Sequence, residues 1–178
     1  MQQVRSWSFC LALLVCCQSV CFGCKWIQGG EYKMKSNFTL TLLRAMVKDV
    51  MEIETETAIP EEIFKLHNTS EIDRKIKILQ KTSENFVMIF RLAENTTWEE
   101  TRRQHLLVLL HRQAFELKSC LKPVACPECS QLRTYFRSLK QLLERHGYSA
   151  KTWEFLAKQA LKVTIRMDLL SAQILSQL

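Results

Sequence analysis

The stretch Gly147-Tyr-Ser-Ala-Lys-Thr-Trp-Glu-Phe-Leu-Ala-Lys-Gln-Ala-Leu-Lys162 reads as the start of a long helix. With Ser149 as N-cap, its hydroxyl can accept a backbone N–H from the first turn. Tyr148 then falls at N′ and Trp153 at N4, the two positions that pack together as a hydrophobic staple. Gly147 allows the chain a sharp change of direction just before. Beyond the cap, Trp153, Leu156, Ala160, Val163, Met167, Leu170 and Ile174 recur at alternating steps of three and four, one apolar seam of a helix running almost to the C-terminus. Such a seam needs partners to cover it, and the rest of the chain must supply them.

Four more helices can be read upstream. Leu40, Leu43, Val47 and Val50 mark a first helix over roughly residues 38 to 53, after an N-terminal arm. An acidic segment follows to Pro60, with a turn of helix near Glu61. The second helix starts near Ser70, where Ser-Glu-Ile-Asp resembles a capping box, and its seam is Ile72, Ile76, Leu79, Ser83, Phe86 and Phe90. Thr96 or Thr97 would cap the third, striped by Leu106, Leu110, Ala114, Leu117 and Leu121. Leu132, Phe136, Leu139 and Leu143 form the inward side of the fourth. Only three prolines and four glycines occur in 178 residues, and no strand-like alternation persists. The expected fold is therefore all-α, a single helical bundle. The connection between the first and second helices is long enough to make those two parallel, whereas the short second connection makes helices two and three antiparallel.

The first 23 residues stand apart. Arg5 gives a short positive start, Phe9 to Val20 is mostly apolar, and Cys21 and Gly23 supply small residues for cleavage before Cys24. The run is too short to cross a bilayer, and no later segment is apolar enough. Residues 1–23 are expected to be a signal peptide, 24–178 a secreted extracellular domain without membrane insertion. Three of the four asparagines open glycosylation sequons, Asn37, Asn68 and Asn95. Cleavage removes Cys10, Cys16, Cys17 and Cys21 and leaves Cys24, Cys120, Cys126 and Cys129, an even set that suggests two disulfides in an oxidising compartment. Three pairings are open.

A formal charge of +7 raises the question of nucleic acid. The basic residues are interleaved with acids along every helix, with no dense run among aromatics, so no nucleic-acid partner is expected. Four scattered histidines make no ligand set. Cys126-Pro-Glu-Cys129 has redox or zinc form, but an all-helical chain lacks the strand–helix setting of one and the second close ligand pair of the other. It reads as a structural disulfide. Glu61-Glu62 and Glu99-Glu100 fall in first helical turns, where the macrodipole favours them. No phosphate-binding glycine loop occurs. The chain is not expected to be an enzyme or to hold a cofactor or metal.

Leu132-Arg-Thr-Tyr-Phe136, together with Tyr148, Ser149, Trp153 and Glu154, resembles the last two helices of type I interferons, whose signature there is Tyr-Ser-x-Cys-Ala-Trp-Glu. Trp98-Glu-Glu-Thr101 and Cys120 resemble the family's third helix, and Cys24 its common N-terminal cysteine. Lys151 stands at the signature's cysteine, so one of the usual two disulfides is missing, as in two-cysteine interferons of bony fish. Ala157 stands at the arginine expected after Trp-Glu, with Lys158 beside it. In the first interhelical loop Glu52, Glu54 and Glu56 replace basic receptor contacts of some members. The resemblance implies a five-helix class II cytokine bundle: an up-up-down-down core of helices one, two, three and five, with the fourth in the last crossover. It implies a Cys24–Cys120 disulfide, which leaves Cys126 and Cys129 to bond each other or to remain free. It further implies a monomeric antiviral cytokine that binds a heterodimeric class II cytokine receptor and triggers Janus kinases. At 3.6 residues per turn Lys151, Lys158, Lys162 and Arg166 cluster opposite the Trp153 seam. Interferons present the outer face of this helix to one receptor chain, which would make that cluster a receptor contact. An interleukin-10-related or type III interferon-like cytokine is the alternative, and outside the cytokines a basic antimicrobial or heparin-binding helical protein.

Overall fold

In the computed structural model the described residues are 24–47, 57–66, 72–94 and 96–178. The expected leader 1–23, the acidic residues Glu52, Glu54 and Glu56, the Ser70 cap and the sequon asparagines Asn68 and Asn95 lie outside them. The last helix, here α6 (Ala150–Leu175), starts where Ser149 Oγ accepts the Thr152 N–H at 3.4 Å. Ahead of it, α5 (Glu128–Arg145) closes in a Schellman turn: Tyr148 N–H donates to the Leu143 carbonyl and Gly147 N–H to that of Glu144. Gly147 sits at φ 55° and Tyr148 at φ 54°. The first is glycine's natural region; the second is unusual for an aromatic and is held by that bond and by ring contact with Trp153 at 6.3 Å.

All seven seam residues of α6 are buried, and so are Thr152, Glu154, Ala157, Gln159, Thr164 and Ser171. Its buried side is thus wider than one stripe, because α6 packs against α2 (Glu31–Met46), α3 (Ile72–Phe90), α5 and a 3-10 turn at Glu61–Phe64. Burying Trp153 completely, with Phe90 to Trp98 at 5.9 Å and Trp98 to Trp153 at 6.0 Å, gives this end of the bundle an aromatic cluster.

The first long helix departs from the expected range of 38 to 53. It runs from Glu31 to Met46, set going by Gly30 in the left-handed region at φ 79°, and its buried side begins at Tyr32 and Ser36. Val47 is already extended, and the late carbonyl of Ala45 is taken by Arg102 Nη1 at 3.2 Å. The end is a tertiary event: a side chain from another helix satisfies a carbonyl that a further turn would have used. The expected arm contains α1 (Lys25–Gln28), which buries Ile27. α4 (Glu100–Ser119) has Glu99 at its N-cap with no side-chain cap, not Thr96 or Thr97. Thr97 Oγ1 instead donates to the buried Glu154 carboxylate at 2.6 Å. A charged acceptor in a desolvated pocket outcompetes a surface cap.

Contacts fix the helix directions. Cys24 meets Cys120, Gln113 Nε2 donates to Thr39 Oγ1, and Arg102 reaches Ala45, so α2 and α4 are antiparallel. Arg103 Nη1 donates to the Phe90 carbonyl at the tight α3–α4 link, so α3 is antiparallel to α4 and parallel to α2. Lys75 at the start of α3 donates to Gln177 just past α6, which makes those two antiparallel. Arg74–Glu128 and Phe86–Phe136 run α5 alongside α3 in the same sense. The core is up-up-down-down with α5 in the last crossover. Around the bundle α2, α6, α3 and α4 are successive neighbours, so α4 and α6 are diagonal and their outer faces point away from each other.

Candidate functional site

The outer face of α6 is built by the same periodicity that buries its seam. Lys151 and Lys162 are exposed and Lys158 is half-buried, all on the side away from Trp153. Arg166 does not share their freedom. Its Nε donates to Glu61 Oε2 at 2.6 Å, its Nη2 pairs with Oε1, and Nη1 caps the Lys162 carbonyl at 2.8 Å. Arg166 ties the 3-10 turn to α6, and its guanidinium, with Lys65 and Lys162 nearby, holds the Glu61 carboxyl below the usual carboxylate range. Lys65 therefore joins Lys162 at the place where Arg166 was expected to stand free.

Two residues of this face escaped the reading by charge. Ile165 and Leu169 are exposed, Leu169 at 61%, and they continue the Lys151–Lys158–Lys162 row at helical steps. Their signal in the sequence is apolar residues on the side opposite the seam. On the neighbouring α2, Met34 and Phe38 are exposed as well, and Lys33 pairs with Asp168 across the two helices. The outer face of α6 is thus both cationic and apolar. Ala157, at the family's arginine position, is wholly buried.

A second exposed apolar surface lies on the diagonal. Val108 is 65% and Phe115 60% exposed on α4, and with Val87, Arg91, Leu107 and His111 they line a shallow cavity of about 720 Å³ between α3 and α4. The interior also carries buried tyrosines. Tyr32 is buried, and burial and the Asp168 carboxylate push its phenol up; burial also pushes up Tyr135.

The remaining expected residues are placed as follows. Cys24 and Cys120 form a disulfide with Cα atoms 5.0 Å apart, and Cys126 and Cys129 a second at 5.3 Å. Asn37 is exposed on α2, while Thr39 of its sequon is wholly buried. His105, His111 and His146 are exposed. Among the described residues no group of His, Cys, Asp or Glu side chains could hold a metal ion, and no helix is long and apolar enough to cross a membrane.

Comparison with known proteins converges on one family. The profile of the interferon alpha/beta domain matches residues 31–174. Interferon a3 of Oncorhynchus mykiss is 30% identical over 97% of this chain and 99% of its own. Interferon alpha-B of Bos taurus is 25% identical, covering 88% of this chain and 90% of its own. Among solved structures zebrafish interferon 1 superposes with a TM-score of 0.73 at 25% identity, over 84% of this chain and 99% of that one. The helix order, the wide-faced last helix and these similarities lead to one conclusion: the chain belongs to the interferon alpha/beta family and is a type I interferon cytokine, a non-enzymatic signalling protein.

Proposed function

We propose that this interferon acts outside the cell as a monomer, binding two different class II cytokine receptor chains at once. Their approach would bring two Janus kinases together and induce antiviral genes. One observation carries the reading: the protein exposes two mixed cationic and apolar faces on diagonal helices, α6 and α4, with no catalytic or metal-binding constellation among the described residues. Lys151, Lys158 and Lys162, with Lys65 and the exposed Leu169, suit an acidic receptor surface with an apolar centre. Arg166 orders the loop beside that contact. The α3–α4 face around Val108 and Phe115 is left for the second chain.

Secretion rests on residues 1–23 as a removable leader, which would leave Cys24 at the mature N-terminus. A glycan on Asn37 would have to be added before α2 folds, because the Thr39 hydroxyl is bonded to the Lys35 carbonyl and to Gln113 in the folded protein. Asn68 and Asn95 are further acceptors.

Reversal of the two central charges tests the α6 contact. Lys158→Glu with Lys162→Glu should slow association with a purified receptor ectodomain by about 3–10-fold, and most at low salt. Circular dichroism and the melting temperature should not move. An on-rate that is unaltered at every salt concentration would return this face to ordinary solvated surface.

A further inference from the structure

The Cys126–Cys129 disulfide takes no part in the receptor reading, and its surroundings differ from those of Cys24–Cys120. Cys24 is buried and Cys120 half-buried; their bond bridges 96 residues, and the open cavity of about 910 Å³ beside it is lined by the carboxylates Glu31, Asp73 and Glu116 as well as Lys25 and Lys122. Cys126 and Cys129 are both half-buried and only three residues apart, and they straddle the start of an 18-residue helix, with Pro127 at its N-cap. The first backbone N–H groups of α5 therefore favour a thiolate there. Beside the pair lies an open cavity of about 600 Å³ between α3 and the α4–α5 connection, lined by Lys77, Lys81 and Arg133 as well as both cysteines. The carboxylates of this neighbourhood are engaged: Glu84 with Lys81 at 2.8 Å, Glu128 with Arg74 at 3.4 Å.

We propose that Cys126–Cys129 is a thiol–disulfide exchange site that a dithiol reductant of the thioredoxin type opens in the folded cytokine, while Cys24–Cys120 stays closed. A thiolate of the reductant attacks one sulfur of the pair, the Cys126–Cys129 bond breaks, and the other cysteine leaves as thiolate. The reductant's second thiolate then breaks the mixed disulfide. Two electrons and two protons reach Cys126 and Cys129, and the reductant ends as its own disulfide. The cavity admits the attacking thiolate, and Lys77 and Arg133 stabilise both anions, Lys81 being paired with Glu84. The bundle keeps its shape because Leu132, Phe136, Leu139 and Leu143 hold α5 in the core without the bond. Only the first turn of α5 and the connection pinned by Lys77 Nζ to the Val124 carbonyl at 2.8 Å gain freedom. This inference is independent of which receptor is bound.

The experiment uses the oxidised mature protein with thioredoxin, its reductase and NADPH. Timed samples are trapped with N-ethylmaleimide and mapped by mass spectrometry while far-ultraviolet circular dichroism is followed. Cys126 and Cys129 should be labelled at least ~10-fold faster than Cys24 and Cys120, with the helical signal unchanged. Equal rates for the two pairs, earlier labelling of Cys24 and Cys120, or labelling of Cys126 and Cys129 only as helix is lost would each overturn the proposal.

Discussion

The two ends of the bundle are closed by different physics. At one end Cys24–Cys120 ties α1 to the end of α4, and Cys126–Cys129 closes the start of α5. At the other, where the α3–α4 link and the start of α6 meet, Phe90, Trp98, Trp153 and Tyr148 touch in succession and Thr97 is bonded to Glu154. The covalent end acts mainly on the unfolded chain, whose freedom it restricts. The aromatic end acts on the folded state, through burial and contact. Lys151, at the position of the family's signature cysteine, sits in the first turn of α6 at the aromatic end. That end depends on packing rather than on a covalent bond.

The sharpest way to break this contrast is to remove the long disulfide. Cys24→Ser with Cys120→Ser should cost about 4–5 kcal/mol, the chain-entropy value for a loop near 100 residues. Urea melts of the pair variant against oxidised wild type measure it; a loss under about 1 kcal/mol would show that the packed termini hold themselves. Next comes Trp153→Ala, which leaves a cavity in a wholly buried site and should cost about 4 kcal/mol. This loss should be as large in reductant as without it, and a melt that hardly moves would place the strength of this end elsewhere. Glu154→Ala should cost about 2 kcal/mol by removing the charged acceptor of Thr97.

The smallest effect lies between the two ends. The folded-state pKa of Glu61 is lowered by Arg166, so its stabilisation is complete above the unfolded carboxylate value and is lost as pH falls through the folded one. Both side chains are partly solvated, at 39% for Glu61 and 25% for Arg166, and screening limits the contribution to under about 1 kcal/mol. Arg166→Ala should remove that part of the acid dependence, measured as the difference in stability between neutral and acidic pH. A pH profile identical to wild type would show that the tether orders the loop without stabilising the fold.

The reading of helices was most accurate where a local signal coincided with the core. Ser149 capped α6, and every residue of its seam is buried, because capping and periodicity there agree with the tertiary packing. The first helix shows the opposite. Gly30 and Tyr32 gave no conventional start signal, and its end depends on Arg102, some sixty residues away in the chain and invisible to any local window. Likewise Thr97 had the chemistry of a cap, but a buried carboxylate on another helix claimed its hydroxyl. On the candidate face, charge identified Lys151, Lys158 and Lys162, yet said nothing about the loop that neutralises Arg166 or about exposed Ile165 and Leu169.

By itself the sequence determined the class of fold, the number of long helices among the described residues, the buried side of the last four and the resemblance at Tyr148, Ser149, Trp153 and Glu154. These follow from periodicity, capping and side-chain chemistry, which act over a few residues. Only the tertiary structure decided where α2 begins and ends, which cations of α6 remain unpaired by Glu61, and that α4 and α6 stand on the diagonal. Each of those depends on groups far apart in the chain competing for the same partner or the same space, and that competition is resolved only when the helices pack.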